Sequence, residues 1–205
     1  MNKKRNFTAF VSVYESRLLN HVSGMGKAGR KAEMDMDLLS LAKDRYSVRK
    51  FSDRKIGERE AQLILEAGKA APTACNRQPQ RVFLLRSREA LEKWSRCTEC
   101  HFGEQMVILT CYDKNESWKR VYDGEDSGFT DAAIVATHMM LEAWELGIGS
   151  TWVMYFIPDA VREEFSLPPH LVPASALVMG YAAQDASPSP RHSDRKPLSE
   201  TVTEL

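Results

Sequence analysis

The chain has 205 residues, 43% hydrophobic and 27% charged, which suits one soluble domain with a real hydrophobic core. Basic and acidic residues balance at 28 each, so the basic excess expected of a nucleic-acid binder is missing. No apolar run approaches the roughly eighteen residues that a membrane span needs.

The charge is uneven along the chain. Residues 1–33 carry seven basic and two acidic residues, a net +5, which leaves −5 for the remainder. Phe7, Phe10, Val11, Tyr14 and Leu18 share one helical face. Thr8, Ser12 and Glu15 interrupt that run, and no clear small-residue cleavage site follows, so it does not read as a signal peptide. We expect residues 1–33 to be a flexible basic extension, or sequence upstream of a start at Met34 or Met36. Residues 34–205 are then the functional domain of a cytoplasmic protein. Cys75, Cys97, Cys100 and Cys111 are accordingly expected as reduced thiols.

Within 34–205 the first helix is predicted over Met36 to Arg45, with Asp35 or Asp37 as N-cap. A basic loop spans Tyr46 to Lys55. A second helix covers Glu58 to Ala71, with Ala61, Ile64, Leu65 and Gly68 on one face, and Pro72 stops it. After a polar loop from Thr73 to Gln80, a strand is read from Arg81 to Arg86 and a short helix from Arg88 to Arg96. Met106 to Tyr112 is a nearly continuous apolar run, the pattern of a buried strand. Residues 129–146 form the strongest predicted helix. Apolar residues surround nearly its whole circumference, which predicts burial on most sides. Gly147 ends it. Thr151 to Phe156 reads as extended, Pro158 to Phe165 as a short helix, and Ala174 to Tyr181 as a strand. Helices and strands mix without strict βαβ alternation, which points to an α+β fold.

Several chemistries are absent from the pattern. There is no phosphate-binding G-x-x-x-x-G-K-[ST] loop, no G-x-S-x-G elbow and no H-E-x-x-H. Gly147-Ile148-Gly149 follows a helix, so it is not a Rossmann turn. Cys97-Thr98-Glu99-Cys100-His101 matches the C-x-x-C-H haem-attachment pattern, but that chemistry needs an exported chain. A metal site there would need a second ligand pair at proper spacing. His138, on the apolar helix, reads as a satisfied core residue.

Three segments remain. Arg45-Tyr46-Ser47-Val48-Arg49-Lys50-Phe51 places two arginines and a hydroxyl within five residues, a set that suits a phosphate or a polarised heterocycle carbonyl. Alone, such a charge run commonly sits in water. Ala71-Pro72-Thr73-Ala74-Cys75-Asn76-Arg77-Gln78-Pro79 puts two amides between prolines, a stiff loop that could equally be a surface turn. In Leu146-Gly147-Ile148-Gly149-Ser150-Thr151-Trp152, small residues would let backbone approach a flat ligand with Trp152 as a wall; the alternative is a C-cap and turn.

Taken together, the stretches RYSVRKF, EAGKAAPTACNRQPQ, DAAIVATHMMLEAWELGIGSTWV and MGYAA, with a Pro- and Arg-containing tail, resemble the nitroreductase family over about Met36 to Val202. The resemblance implies an α+β sandwich with a mixed sheet flanked by helices, and an intertwined homodimer with FMN at its interface. It implies that Arg45, Ser47 and Arg49 hold the FMN phosphate, ribityl chain and ring edge. Pro72, Thr73 and Ala74 would cover the flavin from the partner subunit, and Asn76 and Gln78 would contact flavin or substrate. Ser150, Thr151 and Trp152 would lie beside the ring, and Arg191 would meet the phosphate. The family often has a further basic residue two positions before that arginine, where this chain has Ser189.

The implied activity is electron transfer from NAD(P)H to a small flat acceptor such as a nitroaromatic or quinone. With no Rossmann turn to hold the dinucleotide apart, a ping-pong order is expected. The hard chemistry would belong to the flavin, so no side chain is assigned a catalytic role. Rival readings are dehalogenation, enoate reduction or flavin breakdown on the same fold, and a flavin-binding sensor without turnover.

Overall fold

Capping and proline chemistry set most element boundaries in the structure, a computed structural model that describes residues 37–205. The expectations for residues 1–33, and for a start at Met34 or Met36, lie outside the described residues. Helix α1, Leu38–Asp44, begins where the Asp37 carboxylate accepts the Ser40 N–H at 2.9 Å. Helix α2, Glu58–Ala70, stops at Ala71, before Pro72. A single 3₁₀ turn, Ala74–Asn76, lies in the following loop. Strand β1 is Gln80–Leu85, and helix α3, Arg88–Ser95, is capped by Ser87, whose hydroxyl accepts the Ala90 N–H at 3.1 Å. Strand β2 is Met106–Asp113, and helix α4 is Gly128–Glu145. Strand β3, Gly149–Val153, helix α5, Pro158–Glu164, strand β4, Leu171–Gly180, and the single-turn helix α6, Leu198–Thr201, complete the order.

The α+β expectation is met. The four strands form one sheet in the order β1-β2-β4-β3, each pair antiparallel, and an isolated bridge between Ser47 and Ser150 adds a parallel pairing at its edge. Strands β2 and β4 are buried along almost their whole length, which explains their unbroken apolar runs. Strand β4 starts three residues earlier than predicted. Pro173, which reads as a breaker, sits where Thr110 pairs with Ser175 and Cys111 with Pro173, so that Ala174 is the extra residue of a bulge.

Side chains alternate between two cores, one on each face of the sheet. On one face Met106, Ile108, Leu177 and Met179 meet α2 and α4 through Ile64, Val135 and Met139. Gly68 lets these helices approach, because a Cβ there would lie 2.7 Å from Met139 Cγ. On the other face Val107, Leu109, Ala176 and Val178 cover Trp94, Val161 and Cys97. Trp94 is fully buried and packs against Phe156 at 5.9 Å between ring centroids. The Cys97 thiol is buried in this second core and donates to the Lys93 carbonyl at 3.3 Å. His138 Nδ1 lies 2.9 Å from the Ile134 carbonyl, satisfied as expected, but the side chain is half-buried rather than in the core.

Helix α4 departs from its predicted burial. One stripe, including Ala132, Val135, Ala136, Met139 and Ala143, is buried, while Ile134, Met140, Leu141 and Trp144 are only partly covered and Phe129 is 44% exposed. One chain's sheet occupies one face of the helix, and the apolar excess on the other face is left without a full partner.

Candidate functional site

The basic loop after α1 is held as a short strand-like edge against β3. The Val48 N–H donates to the Ser150 carbonyl at 3.0 Å, and the Thr151 hydroxyl donates to the Val48 carbonyl. The backbones come this close because residue 149 is glycine: a Cβ there would lie 2.5 Å from Val48 Cγ2. The small residue therefore accommodates the chain's own Val48, and the Gly149–Val153 stretch is a strand rather than a turn. The outcome is that Ser47, Arg49, Ser150 and Thr151, predicted from two distant segments, lie together. Ser150 and Thr151 are buried, Ser47 and Trp152 are half-buried, and Arg49 is exposed with its guanidinium 3.5 Å from the Ser47 carbonyl.

Arg45 closes this group at the end of α1. Tyr46 beside it packs edge-on against Trp144 of α4 at 5.2 Å and against His192 of the C-terminal tail at 6.1 Å. The Trp144 indole N–H donates to the Asp44 carboxylate at 3.0 Å. The tail is thereby brought next to the basic loop. Burial, and then the like charge of Arg195, lower the Arg45 guanidinium's pKa from its ordinary value. Arg195 of the tail thus bears on Arg45 through its charge. Arg195 escaped the sequence reading, which singled out Arg191. The signal that could have found it is a second arginine in the same polar tail, directly before Lys196-Pro197. Arg191 is exposed, with its backbone N–H 3.3 Å from the Ser189 hydroxyl. Nearby Lys50 is held differently, in an exposed ion pair with Asp185.

The loop from Pro72 to Gln78 is wound on itself. The Asn76 N–H reaches the Thr73 carbonyl at 2.9 Å, and the Gln78 N–H reaches the Thr73 hydroxyl at 3.0 Å. Cys75, Asn76 and Gln78 adopt left-handed backbone angles, with φ of 50°, 52° and 52°. The Ala74 N–H donates to Asp131 in the first turn of α4 at 2.8 Å, and the Pro79 carbonyl accepts from Asp113 at the end of β2.

This loop does not join the other predicted residues within one chain. It sits at the Asp131 end of α4, whereas Tyr46 packs on Trp144 near the other end. Thirteen helical residues separate those ends, about 20 Å at 1.5 Å per residue. The sheet repeats the separation: β2 begins opposite Met179, beside the Gly149–Gly180 pair, and ends at Asp113 beside the loop. Each chain therefore holds the two groups of predicted residues at opposite ends.

The family model described as the nitroreductase family matches residues 42–113 and 102–181. A protein of Methanothermobacter thermautotrophicus named as an NADH dehydrogenase/NAD(P)H nitroreductase is 33% identical, over 73% of this chain and 80% of its own length. The crystal structure of a nitroreductase family protein from Clostridium difficile 630 superposes with a TM-score of 0.78 at 43% identity, covering 82% of this chain and 98% of that one. A nitroreductase from Desulfovibrio desulfuricans solved in complex with FMN superposes with a TM-score of 0.67 at 27% identity, over 82% and 95% of the two chains.

Proposed function

Because the chain belongs to the nitroreductase family, we propose that it binds FMN and passes electrons from NADH or NADPH to a nitroaromatic, quinone or similar flat acceptor. The observation that carries this reading is the junction where the Ser47–Val48 edge pairs with Ser150, which sets Arg45, Ser47 and Arg49 beside Ser150 and Thr151, with the charge of Arg195 bearing on Arg45. Arginines whose like charges bear on one another suit a dianionic phosphate, and Arg supplies the forked donors such a group takes. The residues present therefore fit FMN.

Arg45 and Arg195 bind the phosphate in this reading, with Arg191 on the same tail. Ser47 and Arg49 meet the polar ring edge and ribityl chain, and Ser150, Thr151 and Trp152 line the side of the ring. When bound, FMN supplies the redox chemistry, accepting hydride from the nicotinamide and yielding electrons to the acceptor. The protein's part is to orient, desolvate and exclude. Nicotinamide and acceptor share one open face and replace one another there, a ping-pong order. The purified protein is expected to absorb as a flavin, to release FMN on denaturation, and to bleach on anaerobic addition of NADH or NADPH. Double-reciprocal plots at several acceptor concentrations should be parallel. A colourless protein that fails to take up FMN would overturn the cofactor, and intersecting lines would overturn the shared face.

The two groups at opposite ends of one chain lead us to a homodimer in which each flavin takes its phosphate clamp from one subunit and its covering loop, Pro72 to Ala74, from the other. Asn76 and Gln78 then face flavin or acceptor from the covering side. The partly covered face of α4 supports this assembly, as does the tail, where Leu198 and Val202 are 76% and 62% exposed and α6 buries no residue. Light scattering should give a dimer, and dilution into monomer should release flavin; an FMN-loaded monomer would contradict this arrangement. Among the described residues no helix is long and apolar enough to cross a membrane. A cytoplasmic location, the reading we propose, would keep the four free cysteines reduced.

A further inference from the structure

Asp131 is the one acidic residue in the apolar first half of α4, and it is 2% exposed. A buried carboxylate is costly unless its oxygens are satisfied. Here both are used, and by two different segments. One oxygen accepts the Ala74 N–H at 2.8 Å, and the other accepts the Ser127 hydroxyl at 2.8 Å. Ser127 closes the small hairpin between Lys119 and Asp126, since its N–H donates to the Trp118 carbonyl at 2.9 Å. The first turn of α4 also favours a negative charge through the helix dipole.

The loop that receives this contact cannot hold its shape cheaply. Three of its residues, Cys75, Asn76 and Gln78, are in the left-handed region without being glycine, a conformation that persists only where the surroundings over-determine it. The hydrogen bonds of Asn76, Arg77 and Gln78 N–H all return to Thr73 or Ala74, so they fix the loop's internal form and not its place. The loop's far end is tied to strand residues, the Pro79 carbonyl to the Asp113 N–H at 2.8 Å and the Gln78 carbonyl to Arg81 at 3.4 Å, and the bond from Ala74 to Asp131 fixes the place of its first half.

We propose that Asp131 is a positioning residue: it clamps the Thr73–Gln78 loop to the start of α4, so that the loop is preset to close over the flavin of the partner subunit. This rests on the FMN and dimer reading above, but the clamp itself can be measured without flavin. The carboxylate touches neither cofactor nor acceptor; it acts through the Ala74 backbone. Presetting the loop lowers the ordering cost of binding.

The test uses the full-length protein and four variants. In the flavin-free wild type the Ala74 amide should be protected from hydrogen exchange. Asp131→Ala should remove that protection and raise the FMN Kd about tenfold or more, the scale of a lost hydrogen bond to a charged group. Asp131→Asn keeps an acceptor oxygen for Ala74, and the Ser127 hydroxyl can turn to accept from the amide, so it should restore most of both. Ser127→Ala should leave Ala74 protected. Mixing Asp131→Ala subunits with Arg45→Ala subunits should recover tight binding at about a quarter of all sites, because each hybrid dimer contains one site with both elements intact.

An unprotected Ala74 amide in the wild type would overturn the clamp, and needs no variant to fold. A Kd unchanged by Asp131→Ala, or reproduced in full by Ser127→Ala, would overturn the loop's role. Absence of recovery on mixing would overturn its action across the interface. If the wild type does not bind FMN while Ala74 is protected, the functional reading fails and the clamp stands.

Discussion

Replacing Arg45 with alanine is expected to weaken FMN binding by about ten- to a hundredfold, the equivalent of one charge-assisted hydrogen bond of about 1.5–3 kcal/mol. Arg195→Ala should do the same. The like charge of Arg195 bears on a partly buried Arg45, so without phosphate the two repel, and removing either relieves the flavin-free protein. Affinity should therefore fall while the melting temperature of flavin-free protein holds or rises. That combination separates a ligand-binding arginine from a structural one, whose loss would lower both. Lys50→Ala is the control. Its ammonium is exposed and paired with Asp185, and exposed pairs contribute only about 0–1 kcal/mol. Its Kd should move less than about threefold. Arg191→Ala decides whether the exposed arginine of the tail joins the clamp. Calorimetry of FMN binding to the four variants, with thermal denaturation of the flavin-free proteins, reads all of this, and equal losses of affinity in all four, Lys50→Ala included, would mean that the basic loop acts by diffuse charge alone.

Local chemistry made most elements legible in the sequence. Asp37 and Ser87 announce two helix starts, Pro72 and Gly147 two stops, and the unbroken run Met106–Tyr112 a strand covered on both faces. What the sequence concealed is non-local. Strand β3 is legible only from Thr151 onward; its start at Gly149 and Ser150 exists because those two small residues pair with β4 on one side and with Ser47–Val48 on the other. Arg195 gains its place through the packing of His192 on Tyr46, a contact across more than 140 residues that no spacing rule exposes. Asp131 reads as an ordinary acidic residue in a helix's first turn, and only the fold reveals that the Ala74 amide comes to it. The half-burial of α4's outer face falls short of the predicted burial on most sides, because that prediction reads composition and not what is there to cover the face.

Gly149→Ala is expected to destabilise the protein by about 1–3 kcal/mol, the usual cost of overpacking, and so to lower the melting temperature by roughly 2–12 °C for a domain of this size. The added methyl would lie 2.5 Å from Val48 Cγ2, 2.9 Å from its Cβ and 3.2 Å from its Cγ1. Val48 is fully buried, and its backbone is pinned at both ends, the N–H on Ser150 and the carbonyl under the Thr151 hydroxyl. It cannot retreat into solvent, so the strain must open the seam between the basic loop and β3. Ser47 and Arg49 flank Val48 on that seam, so FMN affinity should fall together with stability. Val48→Ala supplies the internal check. By itself it removes buried methyl groups and costs stability, but in the Gly149→Ala background it also removes the clash. The double variant should be more stable than the sum of the two single losses predicts, by about 1 kcal/mol or more, within the range of coupling between residues in contact. Thermal or urea denaturation of the four proteins measures that coupling directly. Strictly additive losses would show that residue 149 tolerates a side chain and that the close approach of Val48 is not what holds the basic loop in place.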